Sequence, residues 1–513
     1  MSESQRPSVR PRSLTAVAEV LGIAPAWEWA AINVSGITLD SACVRPGDIF
    51  VGRPGQLRHG AEFAALAVAS GAVVIVTDLA GSALLGKVPS DVPVLVIEDI
   101  AGRVGDLAAW VYGEPARSLS TVGVTGTNGK TTTTWLIESG WRQSGAGVGI
   151  IGTLGVHLCR PSTVDRIELP SARTTPEATD LHALLAVMRE SGISSVAMEV
   201  SSHALALGRV NGLVFDLAVF TNLTQDHLDF HRDIADYFAA KSKLFTPERA
   251  RRGLVNIGDQ WGRKLLATAR IPITTFDVEG PADWTARDLV SSPDGTTTFS
   301  VLGPGVQVAV RLGLPGRFQV ANALAAIAAL VEIGVDANVA AAGVSACLGV
   351  PGRMERVDIG QPFLSVVDYA HTPEAVSRAL SAVREIVPGR LLVVLGCGGD
   401  RDRAKRSLMG ACATVPGALV VVTDDNPRSE DPASIRAAVL GGARSLASEC
   451  GAEVVEIPDR AEAIQRVVAT ARPGDAVIIL GKGAETGQEI AGTLLPFDDR
   501  VELRRTLQAR GSA

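Results

Sequence analysis

Residues 121–135 read TVGVTGTNGKTTTTW. The run Thr121 to Thr125 has the composition of a buried strand. It passes directly into Gly126, Thr127, Asn128, Gly129, Lys130, Thr131 and Thr132, and then into a helix-length segment ending near Gly145. Strand, glycine-rich loop and helix N-terminus together cradle phosphate, because glycines let backbone N–H groups approach the oxygens and the helix end adds positive partial charge. Lys130 is placed to reach outer phosphates, and the Thr131 hydroxyl to ligate Mg²⁺. The usual G-x-x-x-x-G-K-[ST] spacing is not met. Val124 stands five residues before Gly129, with Gly123 and Gly126 on either side. The displaced glycine sets this loop apart from ordinary kinase and GTPase loops.

The surrounding chain has 513 residues, enough for about three domains of ordinary size. Apolar residues make up 46%, charged residues 20% and aromatics only 4%. That balance suits helices packed on buried parallel strands. The net charge of −7 argues against a nucleic-acid-binding surface across the chain. The first residues lack the apolar core of a signal peptide, and no run approaches a membrane span, which predicts a cytoplasmic protein. Six cysteines (Cys43, Cys159, Cys347, Cys397, Cys412, Cys450) lie scattered without a C-x-x-C pair, so buried reduced thiols are expected.

Short apolar runs alternate with amphipathic segments throughout. Ala72–Asp78, Val92–Asp99, Ser194–His203 and Asp216–His227 read as strands, as do LSVVDYAHTP, LLVVLGCGGDRD, ALVVVTDDNPR and AVIILGKG further on. The pattern predicts α/β architecture with open, mostly parallel sheets and polar clusters at the carboxyl ends of strands, where such sheets bind ligands. Tyr112–Ser118 and Leu348–Glu355 read as linkers. They divide the chain into residues 1–115, 116–350 and 351–513.

GVTGTNGKTTT resembles the ATP loop of the Mur ligases and of their relatives, the folylpolyglutamate synthases, where the glycines are spaced as here. The resemblance implies ATP-dependent amide formation through an acyl phosphate, with ATP and Mg²⁺ required. It also implies three domains: an N-terminal UDP-binding α/β domain, a central ATPase and a C-terminal Rossmann-like domain. MEVSSHALALGRV and FTNLTQDHLDFH continue the match. They imply Glu199 and His227 as metal ligands beside Thr131, and Ser201 and Arg209, with Thr174 and Thr175, as substrate contacts. In DYFAAKSKLF the matching lysine is Lys241, which the resemblance implies is carbamylated and joins the metal site. Lys130, Glu199, His227 and Lys241 are thus the implied catalytic centre. Asn322 matches the adenine side, Arg353 a phosphate contact and Asp368 the ribose, which implies that the third domain closes over the nucleotide.

At the front, ITLDSACVRPGDIFVGRPGQLRHG resembles the uridine-nucleotide-binding domain of these ligases. It implies substrate contacts from Leu39 and Ser41, and from Gln56, Leu57 and Arg58. GCGGDRDRAKR, TDDNPRSEDP and LGKGAETGQE resemble the members that add the third residue to UDP-N-acetylmuramoyl-L-Ala-D-Glu. Asp425, Asn426, Pro427 and Arg428, with Arg401, Gly481 and Glu485, then form the amino-acid pocket. The tetrad matches members selective for meso-diaminopimelate, whose distal carboxylate suits an arginine fork. Ala484 stands where the family carries histidine, so L-lysine, L-ornithine and L-diaminobutyrate stay open as third residues. A monomer is expected. The rivals are a folylpolyglutamate synthase, which would lack the front domain, the ligase adding D-Ala-D-Ala, and a nucleotide-dependent module without catalysis.

Overall fold

Aliphatic runs flanked by amphipathic helices bury both faces of their strands, and the chain folds as three successive α/β layers. The structure, a computed structural model, describes residues 6–55, 57–161, 163, 166–169, 171, 173–292 and 295–511. Near the N-terminus β1 (Arg12–Ser13) pairs antiparallel with β2 (Asn33–Val34). A parallel sheet follows, in the order β3 (Gly36–Thr38), β4 (Asp48–Gly52), β5 (Val74–Thr77) and β6 (Val94–Val96). The segment read as the first linker carries a short 3₁₀ turn, Pro115–Ser118.

Among the described residues the central sheet has eleven strands. They are β7 (Ser120–Thr125), β8 (Val148–Gly152), β9 (Gly155–Cys159), β10 (Arg166–Leu169), β11 (Ser195–Glu199), β12 (Phe215–Phe220), β13 (Ala250–Asn256), β14 (Ile273–Asp277), β15 (Trp284–Ser291), β16 (Thr297–Gly303) and β17 (Val306–Leu312). Their spatial order is β10-β9-β8-β11-β7-β12-β13-β14-β15-β16-β17. From β8 to β15 every neighbouring pair is parallel. The chain leaves β7 toward β8, returns through β11, and then crosses to β12 on the other side of β7. This reversal opens a crevice at the carboxyl ends of β11, β7 and β12, the place where open sheets take ligands.

Alternation along each strand builds the two faces. Leu217 and Val219 join Val122, Val124, Ile137 and Leu324 on one side, while Ala218 and Phe220 join Ile151, Met198 and Leu185 on the other. The helix Arg317–Glu332 is buried almost throughout, from Gln319 to Leu330.

The sheet is not parallel to its edges, as the apolar runs alone suggested. β8-β9-β10 and β15-β16-β17 are antiparallel meanders. In β17 the buried Val308, Val310 and Leu312 alternate with exposed Gln307, Ala309 and Arg311. Such half-buried strands alternate in polarity instead of forming continuous apolar runs.

The last sheet comprises β18 (Glu355–Arg356), β19 (Leu364–Asp368), β20 (Leu391–Leu395), β21 (Leu419–Val422), β22 (Glu453–Glu456) and β23 (Ala476–Leu480). Its order is β18-β19-β23-β20-β21-β22, with only β18 antiparallel. A hairpin, β24 (Gly487–Ile490) and β25 (Thr493–Pro496), follows. Cys159, Cys347 and Cys397 are buried as expected, whereas Cys43, Cys412 and Cys450 are only half-buried; none of the six forms a disulfide among the described residues. Among the described residues no helix is long and apolar enough to cross a membrane.

One buried ion pair holds the end of β23, where a site loop departs. Arg460 and Asp499, each 0% exposed, make a two-pronged contact (2.7 and 2.7 Å), and Arg460 Nη2 also donates to Leu480 O at 2.9 Å. Removing one partner strands the other charge in the interior. Asp499→Ala is therefore expected to cost about 3–5 kcal/mol in denaturant-induced unfolding. Loss below about 1 kcal/mol would show that the pair is not a fixed part of this layer.

Candidate active site

The glycine loop sits at the carboxyl end of β7, in the crevice of the central sheet. Gly129 caps the helix Lys130–Gln143 in the left-handed region (φ 87°), and a Cβ there would collide with Asn322 Oδ1. Only glycine lets the buried helix Arg317–Glu332 come this close. Thr127 Oγ1 meets Tyr237 Oη (3.2 Å), and Asn128 N–H donates to Asn222 Oδ1 (2.9 Å). Lys130 folds back on its own loop, donating to Gly126 O (2.9 Å) and Thr127 O (2.8 Å). Lys241, 1% exposed, reaches the same Gly126 O at 2.8 Å from the helix Ile234–Ser242. Two amines thus share one carbonyl. Burial lowers the pKa of Lys130, and burial together with the charge of Lys130 holds Lys241 well below the usual lysine range.

Across the crevice Glu199 ends β11 and is 1% exposed. Its carboxylate accepts from Thr153 N (2.8 Å) and Thr153 Oγ1 (3.1 Å), so it is aimed rather than free. Thr175 Oγ1 donates to Glu199 O (2.8 Å) and accepts from Ser201 N (3.1 Å), and Thr174 Oγ1 lies 3.1 Å from Thr153 Oγ1. His227 has a left-handed backbone (φ 56°), an uncommon state for a non-glycine that concentrates at functional sites. Its ring stacks edge-on to His203, and its Nε2 lies 3.4 Å from Asp226 Oδ2. Burial drives the His227 pKa far down and keeps the imidazole neutral, the form that ligates metals.

Thr127 to Thr132, Thr174, Thr175, Glu199, Ser201, Arg209, His227 and Lys241 all line one cavity of 390 Å³. Among the described residues no cluster of three or more His, Cys, Asp and Glu forms a closed metal cage. The donors present are Glu199, neutral His227 and the Thr131 hydroxyl. With a single carboxylate among them they fit Mg²⁺, which is usually bound through one or two carboxylates and keeps phosphate oxygens and water in its shell.

The third layer closes one side. Arg353 Nη2 donates to Thr131 Oγ1 at 3.0 Å, and its guanidinium lies over the Tyr369 ring. Asp368 accepts from Met354 N (2.7 Å) and Ala370 N (2.8 Å), and burial raises its pKa. Arg353 and Asp368 line a second cavity, of 620 Å³, with Asn128, Gly129, Thr132 and Asn322. Asn222, Gln319 and Tyr369, which sequence reading did not assign to the site, also line it, as does His371 of the DYAHTP motif.

The front layer supplies a third cavity, of 1550 Å³, lined by Leu39, Ser41 and Arg58. Arg173 and Arg209 line this cavity and the 390 Å³ one, so the two adjoin. Arg209 pairs with Glu177 (2.9 Å), which also holds Arg53 of the front layer (2.7 Å). Arg53 and Glu177 were missed because each is an unremarkable residue in its own segment. Leu57 departs from expectation: it is 97% exposed and lines no part of this cavity. It sits on a surface turn whose neighbour Arg58 packs instead on Glu62 and Phe63. Gln56 lies outside the described residues.

The proposed amino-acid residues form a separate cluster at the carboxyl ends of β21 and β23. It touches the nucleotide side where Gly481 N–H donates to Asp368 O (3.1 Å). Asn426 Nδ2 donates to Glu485 Oε2 (2.8 Å), and Gly399 N–H donates to Asn426 O (2.8 Å). Pro427 O accepts from Glu430 N (3.1 Å). Arg428 again has a left-handed backbone (φ 54°) and donates to Gly399 O through Nη1 (2.6 Å). Arg401 does not join the cluster's hydrogen bonds; it is exposed and donates to Asp400 O (3.3 Å).

The residue that organises the cluster is one that sequence reading passed over. Lys482, 0% exposed, lies 3.0 Å from Asn426 Oδ1, 3.2 Å from Glu485 Oε2 and 3.6 Å from Asp425 Oδ1. In sequence it is one lysine in a glycine-rich turn; only the fold surrounds it with acceptors. Lys482→Met is expected to destabilise the protein by about 2–4 kcal/mol in urea unfolding, with Lys482→Arg recovering part of the loss. A neutral effect of Lys482→Met would remove it from this role.

Residues 124–330 match the family model for the Mur ligase middle domain, and residues 352–483 match the Mur ligase glutamate ligase domain. A UDP-N-acetylmuramoyl-L-alanyl-D-glutamate–2,6-diaminopimelate ligase of Streptomyces avermitilis is 51% identical over 500 residues, covering 97% of each chain. A UDP-N-acetylmuramyl-tripeptide synthetase of Leifsonia xyli subsp. xyli is 40% identical over 518 residues, covering 99% of this chain and 98% of its own. A solved structure of a UDP-N-acetylmuramoyl-L-alanyl-D-glutamate–2,6-diaminopimelate ligase superposes with a TM-score of 0.67 at 32% identity, covering 98% of this chain and 100% of that one. A glycine loop with displaced first glycine, a buried lysine pair and three layers around one crevice accord with these matches: the chain belongs to the Mur ligase family.

Proposed function

We propose that this protein is an ATP- and Mg²⁺-dependent amide ligase acting in the cytoplasm as a monomer. It joins a diamino acid, meso-2,6-diaminopimelate, to the γ-carboxylate of D-Glu in UDP-N-acetylmuramoyl-L-Ala-D-Glu, a step of peptidoglycan precursor synthesis. The observation that carries this reading is the 390 Å³ cavity, where Lys130, Thr131, Glu199, His227 and Lys241 meet Arg353 of the third layer and adjoin the front cavity through Arg173 and Arg209. The front sheet distinguishes the protein from a folylpolyglutamate synthase. The names of the relatives at 51% and 32% identity support the substrate and the amino acid.

In this reading the uridine nucleotide lies along Leu39, Ser41 and Arg58, and the dipeptide extends past Arg209, Thr174, Thr175 and Ser201 toward the loop. ATP lies in the 620 Å³ cavity with its base by Asn322, its ribose by Asp368 and its phosphates on the Gly126–Thr132 backbone. A carboxylate oxygen attacks the γ-phosphorus, ADP leaves, and the acyl phosphate forms. The amine of the incoming amino acid then attacks the acyl carbon, phosphate leaves, and the amide remains after loss of a proton. Lys130 and Arg353 offset the negative charge on the transferring group, Lys130 by exchanging its loop carbonyls and Arg353 the Thr131 hydroxyl for phosphate oxygens. Thr131, Glu199 and His227 would hold Mg²⁺, which supplies further charge neutralisation when bound.

Lys241 is proposed to carry a carbamate. Its ammonium, crowded against Lys130 on one carbonyl, first gives up a proton; the neutral amine then attacks the carbon of CO₂ and loses a second proton, which replaces a cation by an anion beside the metal donors.

The deciding assay is phosphate release from ATP with the UDP-muramoyl dipeptide and, separately, meso-diaminopimelate, L-lysine, L-ornithine and L-diaminobutyrate. Turnover with meso-diaminopimelate is expected, and no turnover with any of the four would overturn the ligase reading. Lys130→Ala is expected to lower kcat/KM by about 10²–10³-fold, the scale seen when a preorganised charge-stabilising donor is lost. Lys241→Ala is expected to lose most activity and to regain part of it with added bicarbonate or chloride. Full activity without either anion would exclude the carbamate.

A further inference from the structure

Arg428 is the guanidinium that the proposed reading gives to the distal end of the incoming amino acid, and the following inference rests on that reading. A guanidinium has two edges that can grip a carboxylate with parallel N–H donors. One edge contains Nε, which lies 3.4 Å from Glu489 Oε2. The other contains Nη1, which donates to Gly399 O at 2.6 Å. Nη1 is therefore hydrogen-bonded to a resident acceptor, whereas Nε is in ion-pair range of Glu489 without a hydrogen bond to it.

Glu489 is held there by its backbone. Its N–H donates to Asn426 Oδ1 (3.0 Å), and its C=O accepts from Arg428 N (3.0 Å). Ala491 N–H closes the bridge onto Arg428 O (2.7 Å), so the hairpin runs beside the tetrad like an added strand. The Glu489 side chain is 42% exposed and that of Arg428 23%, so both remain within reach of a ligand. The neighbouring acids are occupied elsewhere, since Asp425 and Glu485 face Lys482. Asp400, whose carboxyl also feels the Arg428 charge, is bound to Ser429, and Glu489 is the carboxylate in ion-pair contact with Arg428.

We infer that Glu489 is a specificity-determining residue that acts through Arg428. Its carboxylate, in ion-pair range of Nε, occupies the place of a distal carboxylate and competes with a ligand of that kind for the side-on edge. A diamino acid with only a distal ammonium faces no such competition and gains an acceptor. Glu489 thus narrows the preference between amino acids with and without a distal carboxylate.

Glu489→Gln keeps the length of the side chain and removes its charge. The test is kcat/KM of the full-length enzyme for meso-diaminopimelate and for L-lysine, at saturating ATP and UDP-muramoyl dipeptide. The ratio favouring meso-diaminopimelate is expected to rise about three- to fivefold, the scale of one partly exposed ion pair, with the thermal midpoint unchanged. The rise is expected to vanish in an Arg428→Gln background, which a merely structural effect of the hairpin would not do. A ratio that stays level or falls in Glu489→Gln overturns the inference, as does the same rise without Arg428. Where L-lysine is not turned over, KM for meso-diaminopimelate replaces the ratio: a fall supports the inference and no change overturns it. Absence of turnover by the wild-type enzyme with all four amino acids overturns the ligase reading and this inference together, whereas turnover with only L-ornithine or L-diaminobutyrate, or an unmoved ratio, overturns the inference alone.

Discussion

Two lysines converge on one backbone carbonyl, and the site is arranged around that crowding. Lys130 and Lys241 both donate to Gly126 O inside a buried crevice. Cations in such surroundings are costly unless an anion faces them. Neither lysine is in salt-bridge contact with a protein carboxylate among the described residues: Glu199 is turned to Thr153, and Asp226 faces His227. The loop is thus short of negative charge at the point where its backbone N–H groups and the helix Lys130–Gln143 also favour an anion. A phosphate chain and a carbamate both relieve the same imbalance.

Around this centre the three layers share residues instead of merely touching. Arg173 and Arg209 border two cavities, and Glu177 links Arg209 to Arg53 of the front sheet. Arg353 reaches from the third layer to Thr131, while Gly481 leans on the backbone of Asp368. A change in how the third layer sits would therefore alter the nucleotide side and the amino-acid cluster together, since both depend on the segment from Arg353 to Asp368. Backbone strain marks the same places: His227, Met354 and Arg428 all have left-handed φ values.

The amino-acid cluster illustrates how a pocket divides its charges. Lys482 collects Asp425, Asn426 and Glu485 in the interior, and Arg428 is left to Glu489 near the surface. The buried set holds shape, because a lysine without solvent needs all its acceptors. The outer pair is exchangeable, since water competes for both partners. We assign recognition of the substrate head group to the outer pair as part of the proposal.

Much of this was legible in the chain itself. The loop at Gly126–Thr132, the polar residues closing β11 and β12, and the order of motifs determined the α/β class and brought Glu199, His227 and Lys241 together with Lys130 as a set. These positions are readable because glycine spacing and strand-end chemistry are local properties. The antiparallel meanders were not, because their alternating residues carry no continuous apolar run. Nor were Thr153, Glu177, Lys482 and Glu489, each ordinary in its own segment. Leu57 lies away from the cavity lining for the complementary reason: a motif gives a position in the chain but not the direction in which a side chain leaves a turn. The sequence by itself determined which chemistry is present and where the strands end. Only the tertiary structure decided which charges face each other, because a lysine or glutamate takes its meaning from partners tens to hundreds of residues away.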